Sequence, residues 1–397
     1  MNSIVDTRES LVNSVIRLLQ YCKENDWAGY DPYDGLNSRI FRYLIFAQNK
    51  TGRLFFTQLM KRLPVNFRLI LQVSKSHNPK GLALFSSALL KLSDIGITNG
   101  NDISFELLNR MVDLRAKNRP YFCWGYNFDW QSRKFLLPKY EPNIICTTFA
   151  GNALMDAYDR SKEYSFIEMA LSAGQFILEG LNISETKEGI CFSYTPYDRG
   201  QVHNANLLGA AFLARLYKIT NENKFLSYAL SSVKFSVSKQ NADGSWPYGE
   251  DKTQKWIDNF HTGYNLVALK QFSIYTGNKD FQKSIEKGFN FYRENFFTDK
   301  GLAKYYHYSI YPIDIHSIAQ SIITLLEFKE LNPKNLDLAI SIYFWAIDNM
   351  QSKKGFFYYQ KKQFYKNKIS YMRWSQAWML YALVTLIEEK FKNVLID

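Results

Sequence analysis

Cysteine, long apolar runs and clustered charge are all scarce in this chain, and each shortage removes a class of reading. Only four cysteines occur in the chain, Cys22, Cys123, Cys146 and Cys191, with no CxxC spacing among them. That excludes a cysteine zinc site or a disulfide framework as the organising device. No uninterrupted apolar run is long enough to span a bilayer, and the N-terminal stretch MNSIVDTRESLVNSVIRLLQYCKENDW mixes Asp, Glu and Arg with its apolar positions. Neither a membrane-spanning helix nor a secretory leader is expected, and the chain reads as a reduced, cytoplasmic protein. Lys and Arg exceed Asp and Glu by 49 to 37, a net charge of +12, yet basic clusters go no further than pairs such as Lys353–Lys354 and Lys361–Lys362. With no basic helix and no nucleic-acid motif, nucleic acid is not an expected partner. The surplus favours an anionic polymer or surface, or else reflects a solvated lysine-rich exterior.

What the chain does have is apolar and aromatic mass arranged in a repeat. Hydrophobic residues make up 46% and charged residues 22%, enough to build a large core and to exclude disorder. In the stretch that follows Tyr140 one unit recurs. A helix opens on small residues (GNALMDAYDRSK, NLLGAAFLARLYKITN, GYNLVALKQFSIYTG, SIAQSIITLLEFKE, SQAWMLYALVTLIEE), and a short polar break follows. A second, amphipathic helix comes next, with apolar positions every third or fourth place (KFLSYALSSVKFSVSKQ, DFQKSIEKGFNFYRENF). A glycine–aromatic stretch closes each unit, at Gly189, Gly244, Gly301 and Gly355 in nearly even steps, with Gly125 in CWGYNFDW as an earlier member. Six helical hairpins with a period of about 55 predict an all-α fold, an (α/α)6 toroid over 1–397. The segment 119–397 carries the clear repeats, and 1–118 reads as divergent helical repeats. An open α-solenoid is the alternative.

Up-down alternation sends every loop between an outer helix and the next inner helix to the same end, so loop residues far apart in sequence should meet around one mouth. Four of the five histidines, His203, His261, His307 and His316, lie in these loops. Asp198, Asp258 and Asp314 recur in step with the repeat, and so do His203, His261 and His316. The next equivalent position is Arg373–Trp374, and an earlier loop offers Tyr126, Asp129, Trp130 and Gln131. Asp258 and Asp314 also suit helix N-caps, and Trp130 and Trp246 also suit packing. A cap needs one polar residue, however, and KWIDNFHTGY at 255–264 supplies Asp258, Asn259, His261 and Tyr264. The expected catalytic set is Asp258, His261, Tyr264, Asp314, His316 and Asp129. The expected substrate contacts are Asn259, Arg373, Trp374, Tyr126, Trp130, His203, Asp198, Trp246 and Gln320. No cofactor is expected, and no tight ligand spacing points to a metal.

The stretch QNADGSW at 240–246 resembles the QW motif of the terpenoid cyclase and protein prenyltransferase toroids. That resemblance implies a structural role for Gln240, Gly244 and Trp246, tying an outer helix to the next turn. The acidic DxDD and DDxxD motifs of those cyclases are absent, as is the zinc-ligand set of the prenyltransferases. The segment 120–390 also resembles, in architecture, the (α/α) toroids that act on carbohydrate: glycoside hydrolases, polysaccharide lyases and sugar epimerases. This second resemblance implies an enzyme acting on a polysaccharide or oligosaccharide, an acidic one given the charge, in surface-polysaccharide metabolism if glycosyltransferase genes surround it. Hydrolysis would pair Asp258 with Asp129, Asp314 or Asp198, although glutamate is scarce at the mouth, with Glu250 its clear candidate. Lyase or uronate-epimerase chemistry would use His261 or Tyr264 for proton transfer, with Asn259 and Arg373 on the carboxylate. A terpenoid cyclase-like protein and a non-catalytic glycan-binding toroid stand as alternatives.

Overall fold

The computed structural model describes residues 2–133 and 135–391, with backbone alone for 2–6 and 46. Six inner helices form a closed ring: α3 (Pro79–Asp94), α5 (Ile144–Ser161), α7 (His203–Thr220), α9 (Asn259–Thr276), α11 (Ile315–Glu327) and α13 (Trp378–Phe391). Each packs on the next, and α13 packs back on α3. Outer helices α4 (Asn101–Asp113), α6 (Tyr164–Gln175), α8 (Asn223–Ser238), α10 (Gln282–Asn295) and α12 (Lys334–Met350) each cover the inner helix before them. The sixth outer position is filled by α1 (Asn2–Glu24), which covers α13. The fold is an (α/α)6 toroid.

The two layers follow from the two kinds of helix pattern. Inner helices are enclosed by outer helices and by ring neighbours, so they are apolar nearly all round; in α11 every residue from Ile315 to Leu326 is buried. Outer helices bury one stripe, as α10 does with Ile285, Gly288, Phe289, Phe291 and Tyr292. Short reversals separate inner from outer helices because α5, α7 and α9 each end on a left-handed residue, Lys162, Asn221 and Gly277. Small residues let inner helices approach: a Cβ on Gly263 would stand 2.7 Å from the Gln320 side chain of α11.

The recurrent glycines mark where one unit leans on the next. The Gln240 amide donates to Gly244 O and to Ser284 O of α10, both at 2.9 Å, and the Gln351 amide donates to Gly355 O at 2.9 Å and Ser14 O of α1 at 3.1 Å. Gly244 (φ +96°) and Gly355 (φ +91°) take backbone angles that favour glycine, and a Cβ there would meet Lys287 O at 2.3 Å and Arg17 O at 2.2 Å. The QNADGSW turn and its later copy therefore do the same structural job, the second one closing the ring.

The N-terminal part differs from the expected run of blurred repeats. The first helix, α1, completes the last hairpin, 79–113 form the first whole one, and 25–78 contain no ring helix. This intervening excursion includes α2 (Lys50–Arg62) and lies against the long-loop end. Asn37 Nδ2 reaches Asn127 O at 2.9 Å and Arg53 Nε reaches Gln131 Oε1 at 2.7 Å. The last hairpin is hidden in the sequence because its two helices sit at opposite ends of the chain.

Candidate active site

The long loops meet where α9, α11 and α13 begin. Asp258 caps α9: its Oδ1 accepts His261 N at 3.0 Å, and its Oδ2 accepts His261 Nδ1 at 2.7 Å and Trp256 Nε1 at 3.0 Å. A capping residue and the third residue of the first turn lie side by side, so one carboxylate satisfies the backbone and orients the ring. With Nδ1 donating to Asp258, the Nε2 of His261 is left without a partner among the described residues, on a side chain 20% exposed. Asp258 itself is 2% exposed. Trp256 stacks on Tyr248, centroids 4.5 Å apart, and the Trp256 ring is exposed beside the imidazole.

One helix further round, Asp314 caps α11. Its Oδ1 accepts His316 N at 2.9 Å and Trp374 Nε1 at 3.0 Å, and its Oδ2 accepts Gln360 Nε2 at 2.5 Å. Burial pushes its carboxyl pKa up, against the pull of those donors. His316 is buried between Phe260, Trp374 and Trp378, with its Nε2 2.5 Å from the Tyr264 hydroxyl. Burial, and then the Lys80 and Arg373 cations, hold His316 well below the usual histidine range, and burial holds the Tyr264 phenol well above its own. This is a neutral imidazole facing a protonated phenol, with His316 Nδ1 unpartnered among the described residues.

Arg373 and Trp374 lie in a π-helical turn, Met372–Ala377, that leads into α13. The Arg373 fork is filled by Asp31, Nε to Oδ2 at 2.6 Å and Nη2 to Oδ1 at 2.9 Å, with Tyr126 stacked on the guanidinium at 5.2 Å. Nearby in the chain, Asp34 receives Arg68 Nε at 2.6 Å, and burial lifts its pKa to about 6. Lys80, in the first turn of α3, is 3% exposed and lies 4.1, 5.3 and 5.0 Å from the ring centroids of Phe149, Tyr264 and Trp378. It has no hydrogen-bond acceptor or carboxylate among the described residues, and burial drives its pKa well below the usual lysine range.

Eight of the fifteen expected residues gather in one contact network: Asp258, His261, Tyr264, Asp314, His316, Arg373, Trp374 and Tyr126. Trp130 joins through Tyr126 and Tyr194. Gln320 is a layer deeper and lines an axial cavity of about 490 Å³. That cavity runs from Tyr264 and Trp378 toward the short-turn end, where the Arg215–Asp156 and Lys91–Glu388 pairs line it.

The structure takes the other expected residues elsewhere. Asn259 turns to the outer layer, bonding Tyr292 and Ser321. Wholly buried His203 joins Ser236 to Glu250, whose pKa its hydrogen bond holds down to about 2. Asp198 closes a turn onto Thr195 and Gly200. Trp246 is packed inside with Nε1 on Ser236 O at 2.8 Å, and Asp129 accepts Lys139 N at the outer edge. Each has its polar atoms committed to the scaffold, so the repeat position placed it in a loop without aiming it at the cleft. Sequence reasoning missed Asp31, Asp34, Lys80 and Trp256. The first two lie in GYDPYDG, outside any repeat copy, and Trp256 has no counterpart in the other loops.

No family model matches the chain, and no curated protein does. Solved structures do match at the level of fold. The Lin0763 protein of Listeria innocua is 13% identical, with 91% of this chain and 97% of that one covered at a TM-score of 0.60. A cellobiose 2-epimerase of Bacillus thermoamylovorans is 10% identical over 80% and 89%, at 0.60. A GH76 α-mannanase of Bacteroides thetaiotaomicron is 12% identical over 81% and 88%, at 0.58.

Proposed function

We propose that the chain is a carbohydrate-active enzyme of the proton-transfer kind, a sugar epimerase or isomerase, with His261 as base. The observation that carries this is the Asp258–His261 pair: a buried carboxylate fixes one ring nitrogen and leaves the other unpartnered among the described residues, on a partly exposed ring packed edge-on against Tyr248. A base oriented in this way can remove a proton from a carbon acidified by a neighbouring carbonyl or carboxylate. Exposed aromatic faces suit the apolar face of a sugar ring. The buried Tyr264–His316 pair, its phenol ring 6.1 Å from His261, supplies a second neutral proton-exchanging unit behind the base. The epimerase among the fold neighbours supports the reading by analogy only.

Hydrolysis fits the same site less well. It needs two carboxylates facing the bond, and both oxygens of Asp258 and of Asp314 are engaged in capping and side-chain hydrogen bonds. We propose an anionic saccharide as substrate. The +12 charge supports it, as does Lys61, whose ammonium stands 5.8 Å over Trp374 with the Tyr33 hydroxyl as its hydrogen-bond partner among the described residues.

The test is solvent exchange. Candidate oligosaccharides incubated in deuterated buffer should take up one deuterium at a carbon next to a carbonyl or carboxylate. His261→Asn should abolish the uptake with the helical circular dichroism unchanged. Release of reducing ends without deuterium uptake would replace the reading with hydrolysis.

A further inference from the structure

From Gly35 to Ser93 there is no Asp or Glu, while ten Lys and Arg occur; this stretch carries +10 of the net +12, leaving +2 for all the rest. The same stretch holds a concentration of exposed apolar side chains. Ten of the 23 exposed large hydrophobic side chains fall between Ile40 and Ile70, among them Tyr43 at 90% exposure, Ile45 at 81%, Leu69 at 79%, Ile70 at 69% and Phe55 at 68%. The pieces of this segment pack on one another and on the long-loop end, so the apolar side chains share one excursion. Phe364, 90% exposed at the tip of a hairpin tied to Leu63 O through Asn367, stands beside it.

Isolated apolar residues on a surface need no explanation, but a concentration of this kind marks a surface that is covered by something. Its charge says by what. Arg39, Lys50 and Arg62 are exposed and have no carboxylate partner among the described residues. A second copy of the chain would bring the exposed cations Arg39, Arg42, Lys50 and Arg62 of two such faces together, and like charges in contact oppose association. Apolar side chains set among unpaired cations suit the boundary of an anionic bilayer, where the rings and aliphatic groups enter the acyl region and the cations meet the headgroups. No described helix is long and apolar enough to cross a membrane, so the contact lies on the surface.

We infer that residues 39–70 dock the protein peripherally on an anionic lipid surface, apolar tips inserted and Arg and Lys at the headgroup level. Two requirements follow from this chemistry. Binding needs both anionic lipid and low salt, and it is lost when the tips become acidic.

The experiment is co-sedimentation of the full chain with phosphatidylcholine vesicles, with and without phosphatidylglycerol. At low salt the anionic vesicles should retain the protein at least about tenfold better than the neutral ones, and half-molar salt should release it. The variant Ile45→Asp/Leu69→Asp/Ile70→Asp should lose the anionic binding with an unchanged melting temperature, because these side chains touch little of the fold. Absence of wild-type binding to anionic vesicles at low salt would overturn the inference, as would undiminished binding by the triple variant. A dimer by light scattering that the triple variant dissolves would also overturn it, since a second copy would then be the occupant.

Discussion

Asp31→Asn should be among the most damaging single changes, and its cost can be worked from the structure. Asp31 is 2% exposed and Arg373 4%, with two charge-assisted bonds of 2.6 and 2.9 Å between them. The Lys80 amine, its pKa held down by burial and then by the Arg373 charge, offers the guanidinium no compensation. Neutralising Asp31 would leave the Arg373 guanidinium in the toroid interior without a carboxylate. Removing one partner of a buried pair costs about 3–5 kcal/mol, against a total stability on the order of 5–15 kcal/mol. The assay is urea unfolding followed by far-UV circular dichroism, with Asp31→Asn, Arg373→Gln and the double variant measured in parallel. The double variant should be less destabilised than the sum of the singles, because the charge stranded by the first change is removed by the second. A loss under about 1 kcal/mol for Asp31→Asn, the range of solvent-exposed pairs, would refute the buried-pair argument.

Further outcomes follow from other groups. Lys80→Met should raise the melting temperature, because it removes a buried amine with no hydrogen-bond acceptor among the described residues and keeps the packing volume; a lower melting temperature would mean that Lys80 has a partner in solution. Gly355→Ala should destabilise by more than about 1 kcal/mol, since the φ of +91° and the approach of Arg17 O both oppose a Cβ, and thermal melts will register it. Asp34 gives a pH signature. Its folded pKa of about 6 lies above its ordinary 3.8, so its stabilising contribution is complete below about 4 and is lost as pH rises through 6. Over that window the loss is about 3 kcal/mol, and the stability difference between wild type and Asp34→Asn should track it. Asn259→Ala should cost about 1–3 kcal/mol through its stranded partners Tyr292 and Ser321 while leaving solvent exchange intact, where His261→Asn does the reverse.

Periodicity carried most of the fold into the sequence. The even spacing of Gly189, Gly244, Gly301 and Gly355 was legible because each turn must pass under the next outer helix, a constraint that recurs as often as the hairpin does. The capping aspartates were legible for the same reason, and with them His261 and His316, held on the first turns of α9 and α11. Which segments close the ring was not legible. Closure joins α1 to α13 and Asp31 to Arg373 from opposite ends of the chain, where no local pattern links the partners.

Asn259 and Tyr264 separate the two levels most clearly. Both stand in KWIDNFHTGY, and by sequence both belong to the site. On a helix of about 3.6 residues per turn they point to different sides. Asn259 faces the outer layer, and Tyr264 faces the barrel axis and His316. The sequence by itself determined the repeated helical hairpins, the caps of α9 and α11 and the class of the fold. Only tertiary packing decided which side of each inner helix faces the cleft, since an inner helix is buried on every side and its apolar pattern has no outward face to orient it.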